Sequence, residues 1–113
     1  MKPVTFDSLQ REYERLRGRL AQIGYISQGS VVDRSRLRSP RTGYQWTRKL
    51  SRKTITVALS PEQFHALRQA IHNRKLLAKT IQQMEKISRT ILFRTSADTR
   101  RRKRLTNRVL GLI

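Results

Sequence analysis

Tyr44-Gln45-Trp46-Thr47-Arg48-Lys49-Leu50-Ser51-Arg52-Lys53-Thr54-Ile55-Thr56-Val57-Ala58-Leu59-Ser60-Pro61-Glu62-Gln63 decides how this chain folds. Residues 44–50 and 54–59 are rich in β-branched and aromatic side chains, with Leu50-Ser51-Arg52-Lys53 between them, which predicts a β-hairpin. In its second strand Ile55, Val57 and Leu59 share one face, while Thr54, Thr56 and Ala58 take the other. Ser60-Pro61-Glu62-Gln63 then starts a helix. Ser60 is the cap, Pro61 holds the first helical position, and Gln63 completes a capping box.

Upstream, Ser39-Pro40-Arg41-Thr42-Gly43 is turn chemistry, and Ser30-Val31-Val32-Asp33-Arg34 reads as a short strand that would extend the hairpin to a three-stranded meander. Before it, Phe6, Leu9, Tyr13, Leu16, Leu20 and Ile23 recur at alternating spacings of 3 and 4, an unbroken heptad seam. The seam predicts a helix over 6–23, opened by a Thr5 cap and closed by a left-handed Gly24.

Downstream, no breaker appears until about Arg94. Phe64, Leu67, Ile71, Leu77, Ile81, Met84, Ile87 and Ile91 mark an apolar stripe, interrupted at Arg74. A helix of that span is roughly 50 Å long, against about 27 Å for the first. The second helix is therefore expected to bend near His72-Asn73-Arg74, or to meet a partner at its far end. The favoured partner is a second copy or a larger subunit. The expected class is α+β, with the first helix and the start of the second flanking a basic hairpin. Residues 1–94 form the helix–hairpin–helix domain, and 95–113 form a basic tail that orders only with a partner.

The chain has 113 residues, with 26 Lys and Arg against 7 Asp and Glu, a net charge of +19. Such self-repulsion opposes a compact state, so the charge implies a polyanionic partner. Duplex nucleic acid carries one charge per ~1.7 Å of axis, and its neutralisation releases counterions. The charge is uneven: residues 1–29 carry five bases and three acids, whereas residues 30–59 carry eight and one. Residues 60–94 carry seven and two, and 95–113 carry six and one.

Arg34, Arg36, Arg38, Arg41, Arg48, Lys49, Arg52 and Lys53 fall in or beside the hairpin, with Tyr44 and Trp46 interleaved. A two-stranded ribbon fits a DNA major groove, and aromatic rings can stack on unpaired bases. Packing of Tyr44 and Trp46 on the helices is the favoured reading of the two rings. The tail adds Arg100, Arg101, Arg102, Lys103 and Arg104, a run suited to nucleic-acid contact, followed by Leu105, Val109, Leu110, Leu112 and Ile113.

Other chemistries find little support. There is no Cys, which removes disulfides and thiolate metal sites and fits a reducing, cytoplasmic setting. No apolar run approaches the ~20 residues of a membrane span. Neither helix shows the opposed aromatic and basic faces of an interfacial helix. The seven acids form no cluster of the kind that holds Mg²⁺. His65 and His72 share a helix face but lie about 10.5 Å apart, too far for one metal ion. An enzyme is not expected, and no cofactor is implied.

The string Gly43-Tyr44-Gln45-Trp46-Thr47-Arg48-Lys49, with Gly29-Ser30-Val31-Val32 before it, continues into Lys53-Thr54-Ile55-Thr56, Leu59-Ser60-Pro61-Glu62-Gln63 and Asn73-Arg74-Lys75-Leu76. Together with the leading helix, it resembles an uncharacterised family of small basic bacterial proteins, a domain of unknown function often met near transposases and other mobile-element genes. The resemblance covers most of residues 5–93 and not the tail. Family members often carry a small Cys cluster in the loop before the Tyr, and here that loop, residues 34–42, has none. The resemblance implies a helix–hairpin–helix architecture and a mobile-element context, without an activity. The functional expectation is non-catalytic nucleic-acid binding, DNA ahead of RNA, as an accessory or regulatory subunit of a mobile-element or defence machine. The alternative is an RNA-binding structural subunit of a ribonucleoprotein.

Overall fold

The structure, a computed structural model, describes residues 5–95 and 104–113. Its elements run α1 (Phe6–Gln22), β1 (Ser30–Asp33), a single 3₁₀ turn (Arg34–Arg36), β2 (Tyr44–Leu50), β3 (Lys53–Leu59) and α2 (Pro61–Thr95). The class is α+β, as the sequence predicts. The chain divides into two compact units.

The first unit, Ile23–Leu77, holds the sheet and the opening half of α2. The sheet is antiparallel in the order β1-β2-β3. Tyr44 pairs with both Asp33 and Leu59, and Trp46 with both Val31 and Val57, so these six side chains share one face. That face meets α2 where the Tyr44 and Phe64 rings stack at 4.3 Å between centroids. α2 begins as its sequence dictates: the Gln63 amide N–H donates to Ser60 Oγ at 3.1 Å, and Gln63 Oε1 accepts from the Ser60 N–H at 3.0 Å.

The segment between α1 and β1 is pinned to α2. Asn73 Nδ2 donates to the Tyr25 carbonyl at 2.9 Å, and the Ser27 N–H donates to the Ala70 carbonyl at 3.2 Å. Ala70 is buried beneath that connection. Gly24 does not take the left-handed conformation expected of it: positive φ among the glycines is found at Gly29, Gly43 and Gly111. The Cβ of a residue at position 24 would meet Asn73 Nδ2 at 3.4 Å, an ordinary van der Waals contact, so the position does not demand glycine.

The second unit comprises the described parts of Met1–Gln22 and Ala78–Ile113. α1 therefore belongs with the far half of α2, and not with the start of α2 and the hairpin as expected. The reason is the seam itself. Tyr13 and Leu20 line one cleft with Ile81 and Met84, so the two apolar stripes serve each other. Leu16, at 1% exposure, is the seam's most buried member, and Thr80 of α2 is also fully buried. α1 opens with a reciprocal cap between Thr5 and Ser8.

The chain's last residues join this unit through one capped turn. The Val109 N–H donates to Thr106 Oγ1 at 3.2 Å. The Gly111 N–H bonds the Arg108 carbonyl and the Leu112 N–H the Asn107 carbonyl, with Gly111 at φ +71°. This bond pair with a left-handed Gly is a Schellman ending. Leu110 is buried, and a Cβ at Gly111 would lie 3.1 Å from the Arg89 guanidinium.

Candidate nucleic-acid interface

The basic residues predicted in and beside the hairpin gather at two ends of the sheet. β2 runs between two poles about 20 Å apart, the length of a seven-residue strand. Arg48, Lys49, Arg52 and Lys53 gather at one pole. Arg34, Arg36, Arg38 and Arg41 lie in the β1–β2 connection at the other. Arg104 is exposed in the second unit, and Arg100, Arg101, Arg102 and Lys103 lie outside the described residues.

The first pole is a protruding ribbon. β1 starts opposite Thr47, so the pairs Arg48↔Ile55, Lys49↔Thr54 and Leu50↔Lys53 extend beyond it as two strands alone. Because directly paired residues share a face, Arg48 and Lys53 point to one side and Lys49 to the other. Ser51 and Arg52 close the ribbon with φ +50° and +69°. Two positive φ values are what a type I′ hairpin turn requires, and Asn-Gly is its preferred sequence. A Ser and an Arg held there are strained by about 1–3 kcal/mol each. The strain places a cation at the outermost point of the ribbon.

Two aromatic rings stand behind the ribbon. The Arg48 guanidinium lies 5.7 Å from the centre of the Trp46 ring. Trp46 Nε1 donates to the Gln28 carbonyl at 3.0 Å, which fixes the indole edge. Tyr44, stacked on Phe64, belongs to the packing between sheet and helix.

At the second pole Arg34 is structural. Its Nε donates to Gln45 Oε1 at 3.3 Å, its N–H bonds the Gly43 carbonyl, and its carbonyl accepts from both Leu37 and Arg41. That bonding organises the loop and leaves Arg36, Arg38 and Arg41 exposed. Asp33 ends β1 and accepts from the Ser35 hydroxyl at 2.7 Å and the Ser35 N–H at 3.0 Å. The hydroxyl first, then the amide, hold its carboxyl below the ordinary aspartate range.

Sequence reasoning missed a third group, two histidines and two cations. His65, Arg68, His72 and Lys75 recur at spacings of 3, 4 and 3 on α2, which keeps them within about 80° of one helix face. They line two clefts that share Val31 and Arg68 and run along β1. The signal was present in the spacing, but the neighbouring strand was not.

Unit Ile23–Leu77 carries eleven Lys and Arg against two acids, Asp33 and Glu62. Ion pairs among the described residues join Glu12 to Arg15 and Glu14 to Arg17 within α1, and Glu85 to Arg89 within the far half of α2, all in the other unit. Among the described residues, no cation of the sheet unit pairs with a carboxylate. No group of three His, Cys, Asp or Glu among the described residues is placed to hold a metal ion, and no described helix is long and apolar enough to cross a membrane. No family model, curated protein or solved structure matches the chain.

Proposed function

We propose that this chain is a non-catalytic nucleic-acid-binding protein that prefers DNA to RNA. The observation that carries the reading is the ribbon: a two-stranded projection with Arg48, Lys49, Arg52 and Lys53 at its end, none paired with an acid among the described residues. A B-form major groove about 12 Å wide admits such a ribbon, whereas the deep, narrow major groove of A-form RNA does not. Phosphates neutralise the ribbon, and the cations of the β1–β2 connection add contacts at the opposite pole. We propose further, from the resemblance of residues 5–93 to a family met near transposases, that the chain serves as an accessory or regulatory subunit of a mobile-element or defence machine.

The test is a binding titration of the full chain against duplex DNA and duplex RNA of one sequence, repeated with Arg48→Ala plus Arg52→Ala. Tighter binding of DNA, weakened at least tenfold by the double change, supports the reading. Tighter binding of RNA, untouched by the change, favours a ribonucleoprotein subunit instead.

A further inference from the structure

We propose that the cleft between β1 and the opening half of α2 seats an unpaired nucleic-acid strand, separately from the ribbon. The proposal rests on the nucleic-acid reading above and names a second form of the ligand with its own site.

The cleft has a floor and a rim of different chemistry. Its wider part, about 550 Å³, is lined by Val31, Val32, Tyr44 and Phe64, with Arg36, His65 and Arg68 around them. The His65 ring stands edge-on to Phe64 at 5.4 Å, so three rings meet there. The narrower part, about 310 Å³, continues past Val31 and Ile71 to His72 and Lys75. An aromatic floor beside a basic track is the arrangement that binds single strands, because every base has a stacking face and every nucleotide a phosphate.

The dimensions agree. From His65 to Lys75 is ten residues of helix, about 15 Å, long enough to lie along a short run of phosphates. The cleft's one acid, Asp33, keeps its negative charge, held in the loop by the Ser35 hydroxyl and amide, and is outnumbered by Arg36, Arg68 and Lys75. Arg36, Arg68 and Lys75 have no carboxylate partner among the described residues. β1 is also an edge strand, and an acidic peptide could pair with it. The rings in the wide part favour a base over a peptide, since strand addition would use the backbone edge and leave them unused.

The experiment measures the full chain against a labelled oligothymidylate of about 15 nucleotides, a labelled DNA duplex and polyglutamate. Arg68→Gln with Lys75→Gln changes two exposed side chains without removing helix formers. For the single strand this pair should lower affinity about tenfold or more and flatten the salt slope by about 1.4, two lost phosphate contacts. Duplex affinity should fall less than threefold. Arg48→Ala with Lys53→Ala should show the opposite selectivity.

If the cleft variant weakens neither ligand, or weakens both alike, while the ribbon variant still weakens the duplex, the cleft is not a strand seat and the nucleic-acid reading survives. If polyglutamate binds more tightly than either oligonucleotide and the cleft variant abolishes it, the occupant is an acidic peptide. If the wild-type chain binds neither oligonucleotide, both readings fall.

Discussion

Gly29 lies against the indole of Trp46 so closely that a Cβ on it would sit 2.5 Å from Nε1 and 2.6 Å from the Thr47 carbonyl oxygen. Its φ of +102° is also one that side-chain-bearing residues rarely adopt. Together with the Trp46–Gln28 hydrogen bond, this contact fixes the ring that lies beside Arg48 at the root of the ribbon.

Gly29→Ala should therefore destabilise the chain by about 1–3 kcal/mol. Trp46 is the sole Trp, so its fluorescence reports the site alone. A red-shifted emission and an earlier urea midpoint are expected. Gly18→Ala is the control, because nothing lies within 4 Å of a Cβ there and the position is within α1. It should stabilise by about 0.8–1 kcal/mol and leave Trp46 emission unchanged.

Stability and binding should part company at the hairpin tip. Ser51→Asn with Arg52→Gly supplies the residues that the turn prefers and should stabilise by about 1–2 kcal/mol. The same change removes one phosphate contact, so duplex affinity should drop and the salt slope should flatten by about 1. A variant both more stable and tighter-binding would show that Arg52 has no role at the interface.

The Asp33 carboxyl is held below its ordinary range, chiefly by the Ser35 hydroxyl. A depressed folded pKa contributes stability that is complete above the unfolded value and is lost as pH falls through the folded one. Ser35→Ala should raise the Asp33 titration midpoint, followed by NMR of its side-chain carboxyl. The wild-type advantage should be present at neutral pH and vanish once both carboxyls are protonated. Equal midpoints in the two chains would contradict the assignment.

In the second unit Leu16 is the most buried seam residue. Leu16→Ala should lower stability by about 2–5 kcal/mol. Phe6→Ala, at a seam position 51% exposed, should have well under half that effect. Comparable losses at both positions would mean that α1 packs along its whole seam.

Local chemistry made much of the fold legible. The Ser60–Gln63 box, the Pro61 start and the alternation of 44–59 each concern neighbours within four residues, and all three appear as read. The Ser51–Arg52 turn carries no Gly or Asn to announce its positive φ values, so the strain at the tip was invisible. Which half of α2 would receive α1 depended on packing between segments distant in sequence, and the heptad seam alone names no partner. For the same reason the His65, Arg68, His72 and Lys75 stripe looked like an ordinary helix face until β1 was placed beside it.

The central claim is that unpaired cations of the ribbon bind nucleic-acid phosphates. The most direct test is the affinity of the full chain for a DNA duplex as a function of salt, with Arg48→Ala plus Arg52→Ala alongside. The account predicts a linear fall of log affinity with log salt. For six to ten phosphate contacts the loss is about 10³–10⁵ between 50 and 200 mM, and the double variant's slope should be shallower by about 1.8. A nearly flat salt response, or a slope unchanged by the two substitutions, would contradict it.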